Sequence, residues 1–100
     1  MYLTKKTFAE QTGKGRTVVL FSASQSVLGH KYFTELKTTF PDLPIFRVEI
    51  DKERDLAADI NIRVSPIVFV FQDGEILDKY MWNQKDALIW TLRCGIKRTH

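Results

Sequence analysis

Apolar runs and amphipathic stretches alternate along this chain. Thr17-Val18-Val19-Leu20-Phe21 is an unbroken β-branched and aromatic run, which predicts a strand covered on both faces. Ahead of it, Thr7, Phe8 and Gln11 lie in a short polar stretch with room for one or two helical turns, ended by Gly13-Lys14-Gly15. From Val27 to Phe40 the period changes. Leu28, Tyr32, Phe33, Leu36 and Phe40 recur at helical spacing, which predicts a helix that buries that face. Pro41 and Pro44 end it. Ile45-Phe46-Arg47-Val48-Glu49-Ile50 then alternates with the period of a strand, parallel to the first because a helix joins them.

In the second half, Leu56, Ala57, Ile60 and Ile62 predict a short helix, and Ile67-Val68-Phe69-Val70-Phe71 another apolar strand. Gln72-Asp73-Gly74-Glu75 is a tight turn of the Asp-Gly type, so Ile76 to Tyr80 should return as an antiparallel partner. Asn83 is placed to cap a last helix from Gln84 to Cys94, with Gly95 as its stop and Leu88, Thr91, Leu92 and Ile96 as its buried stripe. A βαβ unit, a helix, a hairpin and a closing helix make an α/β fold. A mixed sheet of four or five strands between helix layers satisfies every connection.

Composition narrows the class. One hundred residues, 44% hydrophobic and 27% charged, predict one domain over 1–100 with its own core and exclude a disordered polar chain. Fifteen basic residues against twelve acidic give a net charge of +3, spread from Lys5 to Arg98. That dispersal argues against a nucleic-acid partner, whose modules gather Lys and Arg on one face. Only Lys97-Arg98-Thr99-His100 is locally basic, as a chain terminus can be. No apolar stretch is long enough for a bilayer, and Met1-Tyr2-Leu3-Thr4-Lys5-Lys6 has no apolar core after a basic start. A cytoplasmic protein with no membrane partner is expected. The single cysteine, Cys94, has no intramolecular partner, in keeping with a reducing compartment.

The arrangement resembles the thioredoxin-like family. The residues that carry the resemblance run from Leu56-Ala57 through Ile60, Ile62 and Val64-Ser65-Pro66-Ile67, along Val68 to Phe71, to Asp73-Gly74-Glu75. Val19-Leu20-Phe21-Ser22-Ala23, Val48-Glu49-Ile50-Asp51 and Tyr2-Leu3-Thr4 with Phe8 add to it. The resemblance implies a three-layer α/β/α sandwich. It also implies a cis bond before Pro66 and an edge at Ser65 whose backbone pairs with an extended peptide. Proline makes the cis form accessible at a cost of about 0.5–1 kcal/mol.

What the family uses for chemistry is missing. Dithiol exchange needs a thiolate at a helix start and a second cysteine to resolve the mixed disulfide. The equivalent stretch here is Ser24-Gln25-Ser26-Val27-Leu28-Gly29-His30-Lys31. A gap-free alignment from Phe21 sets Ser26 and Gly29 on the two cysteine positions; an alignment through Phe33, Leu36 and Phe40 shortens the turn instead. Neither brings in a cysteine. Leu20 stands where the family carries a buried acid, Gln25 where it carries a tryptophan, and no proline follows between His30 and Thr34. A buried carboxylate costs desolvation, so its replacement by leucine is expected once no redox step needs its proton.

Other candidates are weaker. Ser24 or Ser26 reads as a helix cap, since a serine nucleophile needs a base and the nearby His30 has no third residue to orient it. His30 has no Cys, second His or carboxylate at metal-ligand spacing. Gly13-Lys14-Gly15-Arg16-Thr17 precedes a strand, whereas a phosphate loop follows one. No cofactor or metal is expected.

The leading expectation is therefore a non-catalytic protein- or peptide-binding module. The alternatives are an oxidoreductase acting through Cys94 or a partner's thiols, and a structural homo-oligomer subunit. Two surfaces are candidates. Trp90 lies about 160° from Leu88 around the last helix, so it faces outward unless that helix is rotated, and an exposed Trp90 suits a partner or a homodimer. Met81-Trp82 closes the last strand beside Ser65-Pro66, either reshaping that groove or capping the sheet.

Overall fold

The computed structural model describes residues 2–94 and the side chains of 2–93. Gly95, Ile96 and the basic tail 97–100 lie outside the described residues, as does the Cys94 side chain. The elements run α1 (Lys5–Thr12), β1 (Arg16–Ser22), α2 (Val27–Thr39), β2 (Ile45–Glu49), α3 (Arg54–Asp59), β3 (Ile67–Gln72), β4 (Glu75–Met81), a single tight helical turn (Trp82–Gln84) and α4 (Lys85–Cys94). Among them no helix is long and apolar enough to cross a membrane.

The strands form one mixed sheet in the order β2-β1-β3-β4. β1 and β2 are parallel, joined through α2, with Leu20 opposite Arg47. β3 is antiparallel to both neighbours. Tyr2 adds an isolated parallel bridge to Arg47 at the outer edge of β2. The hairpin between β3 and β4 turns on Asp73 and Gly74, both at positive φ (51° and 88°). Glycine adopts that backbone freely and aspartate with little penalty. The Asp73 carboxylate and amide also clamp Gly15, accepting from its N–H at 2.7 Å and donating to its carbonyl at 3.0 Å.

Alternate residues of the central strands feed two cores. Val18, Leu20, Val68 and Val70 pack with Tyr32, Phe33 and Leu36 of α2 and Leu88 of α4. Val19, Phe21, Phe69 and Phe71 pack with Val48 and Leu56, backed by Phe8 of α1. The sheet therefore lies between two helix layers, the expected three-layer sandwich with four strands.

Three local expectations need correction. Leu28 does not belong to the buried stripe of α2; it is exposed, and Gly29 is the buried residue of that first turn. Close packing explains the shift, because Gly29 sits on Ser22 with no room for a larger side chain. Asn83 does not cap α4. Residues 82–84 make their own tight turn and α4 begins at Lys85. In the stripe of α4, Leu88 is fully buried while Thr91 is only half-buried, and Ile89 joins Leu92 against the core.

Candidate functional site

The exits of β1, β2 and β4 and the entrance of β3 meet at one end of the sheet, because β3 alone runs in reverse. Four segments converge there: the turn 23–26 into α2, Asp51 after β2, the loop 64–66 before β3, and Met81-Trp82 where β4 ends.

The turn into α2 is tied from both sides. Ser26 caps the helix, its hydroxyl accepting from the Gly29 N–H at 2.9 Å. Ser24 does not cap; its N–H and hydroxyl donate to the two Asp51 carboxylate oxygens at 2.8 and 2.6 Å. That hydroxyl, followed by the Ser24 amide, holds the Asp51 carboxyl below its ordinary range. Gln25, Val27 and His30 are exposed. A Cβ on Gly29 would come within 2.6 Å of Ser22 Cβ and Oγ, so the position expected to match the second cysteine has no space for a side chain in this arrangement.

Beneath the turn lies a residue whose role the strand alternation does not reveal. Arg47 is 1% exposed. Its Nε donates to Ser22 Oγ at 2.9 Å, its Nη2 to the Ala23 carbonyl at 2.8 Å, and its Nη1 makes a long contact of 3.5 Å to the Tyr2 hydroxyl. The guanidinium also lies over the Tyr2 ring, 5.7 Å from its centroid. None of the ion pairs among the described residues includes Arg47. Its partner across the ladder is Leu20, the position where the resemblance expects an acid. A cation is thus sealed under the turn by neutral acceptors. The loss at Leu20 was the signal in the sequence, and the register was needed to read it.

At the neighbouring loop, the Ser65–Pro66 bond is cis. Pro66 is buried and Ser65 exposed. Among the described residues no backbone group bonds to the Ser65 N–H or carbonyl. Large apolar side chains are exposed at this same end of the sheet. Val27, at 73%, and Leu28 stand at the start of α2, Val64 precedes Ser65, and Met81, paired in register with Ile67, leads to Trp82. The structure therefore brings Ser65, Pro66, Met81 and Trp82 together with the degenerate turn.

Trp90 is not part of this end. It is 68% exposed on α4, while Leu92 two residues on lines a cavity with Phe40 and Leu43 beyond the far end of α2. Cys94, the last residue of α4, lies further in the same direction along the helix.

Chemically, the site offers two hydroxyls already engaged in hydrogen bonds, an open backbone edge and an apolar rim. No described thiol or metal-binding cluster lies among them.

Comparison with known proteins places these features in context. The thioredoxin family model matches residues 1–93. Thioredoxin H1 of Arabidopsis thaliana is 28% identical over 97 residues, covering 89% of this chain and 85% of that protein. A thioredoxin H-type of Picea mariana is 32% identical over 56 residues, 56% of this chain but only 45% of the relative. The matched stretch thus spans less than half the length of that relative. Among solved structures, mitochondrial thioredoxin 3 from Saccharomyces cerevisiae in its oxidized form superposes with a TM-score of 0.79 at 19% identity, covering 95% of this chain and 94% of that one. Thioredoxin f2 of Chlamydomonas reinhardtii gives 0.81 at 19% identity, with 94% of each chain covered. At such identities the structural likeness establishes the fold.

Proposed function

This chain belongs to the thioredoxin family, and from that premise we propose that it is a peptide-binding module that works without dithiol–disulfide exchange. The single cysteine, Cys94, leaves no cysteine pair in the chain to cycle. The observation that carries the binding reading is the open backbone of Ser65 beside buried Pro66, with Val64, Met81 and Trp82 exposed at the same end of the sheet. An extended peptide laid along Ser65 gains backbone hydrogen bonds, and the apolar rim supplies contact area for its side chains. Val27 and Leu28 extend that rim on the α2 side. Bulky Met81-Trp82 at the end of β4 makes the rim a place where an apolar peptide residue is gripped.

Two measurements test this. In an amide-resolved titration with a panel of extended peptides, binding should move the signals of residues 64–66, 81 and 82, and Trp82→Ala should weaken it about tenfold or more. In an insulin-reduction assay with dithiothreitol, the chain should not accelerate turnover above the blank. Acceleration that disappears in Cys94→Ser would overturn the proposal.

A further inference from the structure

Between α2 and the turn into α4 the surface opens into a cavity of about 450 Å³, within the range of small-molecule sites. Leu28 and Trp82 give it apolar walls, and Lys31, Lys85, Glu35 and Asp86 its charges. Tyr32 also lines it. This residue is 4% exposed, and its hydroxyl is the buried side-chain polar atom left without a hydrogen-bond partner among the described residues. Burial, with the Glu35 charge second, pushes the Tyr32 hydroxyl up to about 12. At neutral pH it is therefore a proton donor lacking an acceptor. A buried donor of this kind costs free energy until something supplies the acceptor.

The charges lining the cavity indicate what kind of acceptor. Glu35 is taken by Lys85 at 2.7 Å. Asp86, also on the wall, stands in the first turn of α4, where helix N–H groups compensate a carboxylate. Lys31 has no ion-pair partner among the described residues. One cation and one hydroxyl donor thus remain free between an indole and a leucine. Leu28 and Lys31 on the same wall are exposed, and a ligand reaches the shielded hydroxyl only by displacing side chains of this wall.

We propose that this cavity binds a carboxylate carried on a ring-sized apolar body, the ring against Trp82 and Leu28 and the carboxylate between Tyr32 and Lys31. The carboxylate can come from a free aryl-alkyl acid or from the free C-terminus of a peptide ending in an aromatic residue. The site shares Leu28 and Trp82 with the apolar rim but uses neither the Ser65 backbone nor Pro66, so it does not depend on peptide docking along that edge.

The test is an amide-resolved titration of the full chain with 3-phenylpropionate, and in parallel with N-acetyl-Ala-Ala-Phe bearing a free carboxylate. Saturable shifts should appear in residues 28–35 and 82–86 and spare 64–66, which separates this site from the peptide edge. A response to the first probe identifies a free acid as sufficient; a response to the peptide alone assigns the site to a chain terminus. Tyr32→Phe and Lys31→Met should each weaken binding about tenfold, the worth of one hydrogen bond to a charged group. Tyr32→Phe should keep the wild-type melting temperature or raise it, which shows that the variant is folded. The proposal fails if neither probe gives saturable shifts at millimolar concentration, if the corresponding amides bind as well as the acids, or if both variants bind like the wild type.

Discussion

Arg47 and Tyr32 are both buried on the α2 side of the sheet, and the protein treats their polar groups in opposite ways. Arg47 is enclosed by Ser22, Ala23 and Tyr2, and its charge is spent inside the molecule. Tyr32 is buried almost as deeply, yet its hydroxyl has no hydrogen-bond partner among the described residues. Satisfied polar groups rigidify what they touch, whereas an unsatisfied one is a free-energy cost that an outside partner can remove. The comparison separates a closed region, the turn into α2, from an open one, the cavity between α2 and α4.

The largest way to break this comparison is Arg47→Ala. Losing its hydrogen bonds and leaving a void should cost about 3–5 kcal/mol in urea unfolding. Arg47→Met should cost clearly less, since it fills the volume and removes a buried charge that lacks a counter-ion. A stability unchanged by the alanine would show that the guanidinium does not hold the turn. Its missing counter-ion can also be supplied. Leu20 faces Arg47 in the ladder, so Leu20→Asp should be better tolerated with Arg47 intact than combined with Arg47→Met. A double-mutant cycle should return a favourable coupling of at least about 1 kcal/mol.

Next in size is Gly29→Ala. Its Cβ would lie 2.6 Å from Ser22, and such overpacking should cost about 1–3 kcal/mol by thermal unfolding. Adding Ser22→Gly should recover part of it. The same crowding predicts that Ser26→Cys with Gly29→Cys yields a destabilised chain.

Tyr32→Phe should move stability by less than about 1 kcal/mol at neutral pH, because it removes a hydroxyl that makes no bond. Its signature is in alkali. The folded hydroxyl is raised from 10.0 to about 12, so the folded state holds its proton more tightly than the unfolded one. That contribution is complete below the unfolded value and is lost as pH rises toward the folded one. Unfolding followed from about pH 9 to 12 should show stability falling with a shallower slope in the phenylalanine variant. The smallest effect is at Asp51, whose carboxyl is lowered by Ser24. Its contribution is present above the unfolded carboxyl range and lost as pH falls through the lower folded value. Asp51→Asn should flatten the acid limb of the stability profile, and an unchanged limb would show that the Ser24 tether contributes nothing.

Much of the architecture could be read in advance. The β1 run, the Asp-Gly turn and the stripe of Tyr32, Phe33 and Leu36 are local patterns whose period is set by backbone geometry, and the structure forms each of them. The vacancy at the cysteine positions was equally plain, since it is a matter of residue identity. Positions where neighbours decide were harder to read. Leu28 has the spacing of a core residue but stays partly exposed on the wall of the cavity it shares with Trp82. Asn83 has the chemistry of a cap, but the tight turn at Trp82 delays the helix to Lys85. Trp90 was open to either burial or exposure, and the rotation of α4 about buried Leu88 exposes it.

Sequence alone determined the order of elements, the family and the lack of a thiol pair, because each follows from residue type and spacing along the chain. Only the tertiary structure decided that Arg47 is sealed while the Tyr32 hydroxyl has no partner among the described residues, and that Val64, Met81 and Trp82 are exposed at the same end of the sheet. Those outcomes depend on strand register and helix rotation, which set distances between residues far apart in the chain.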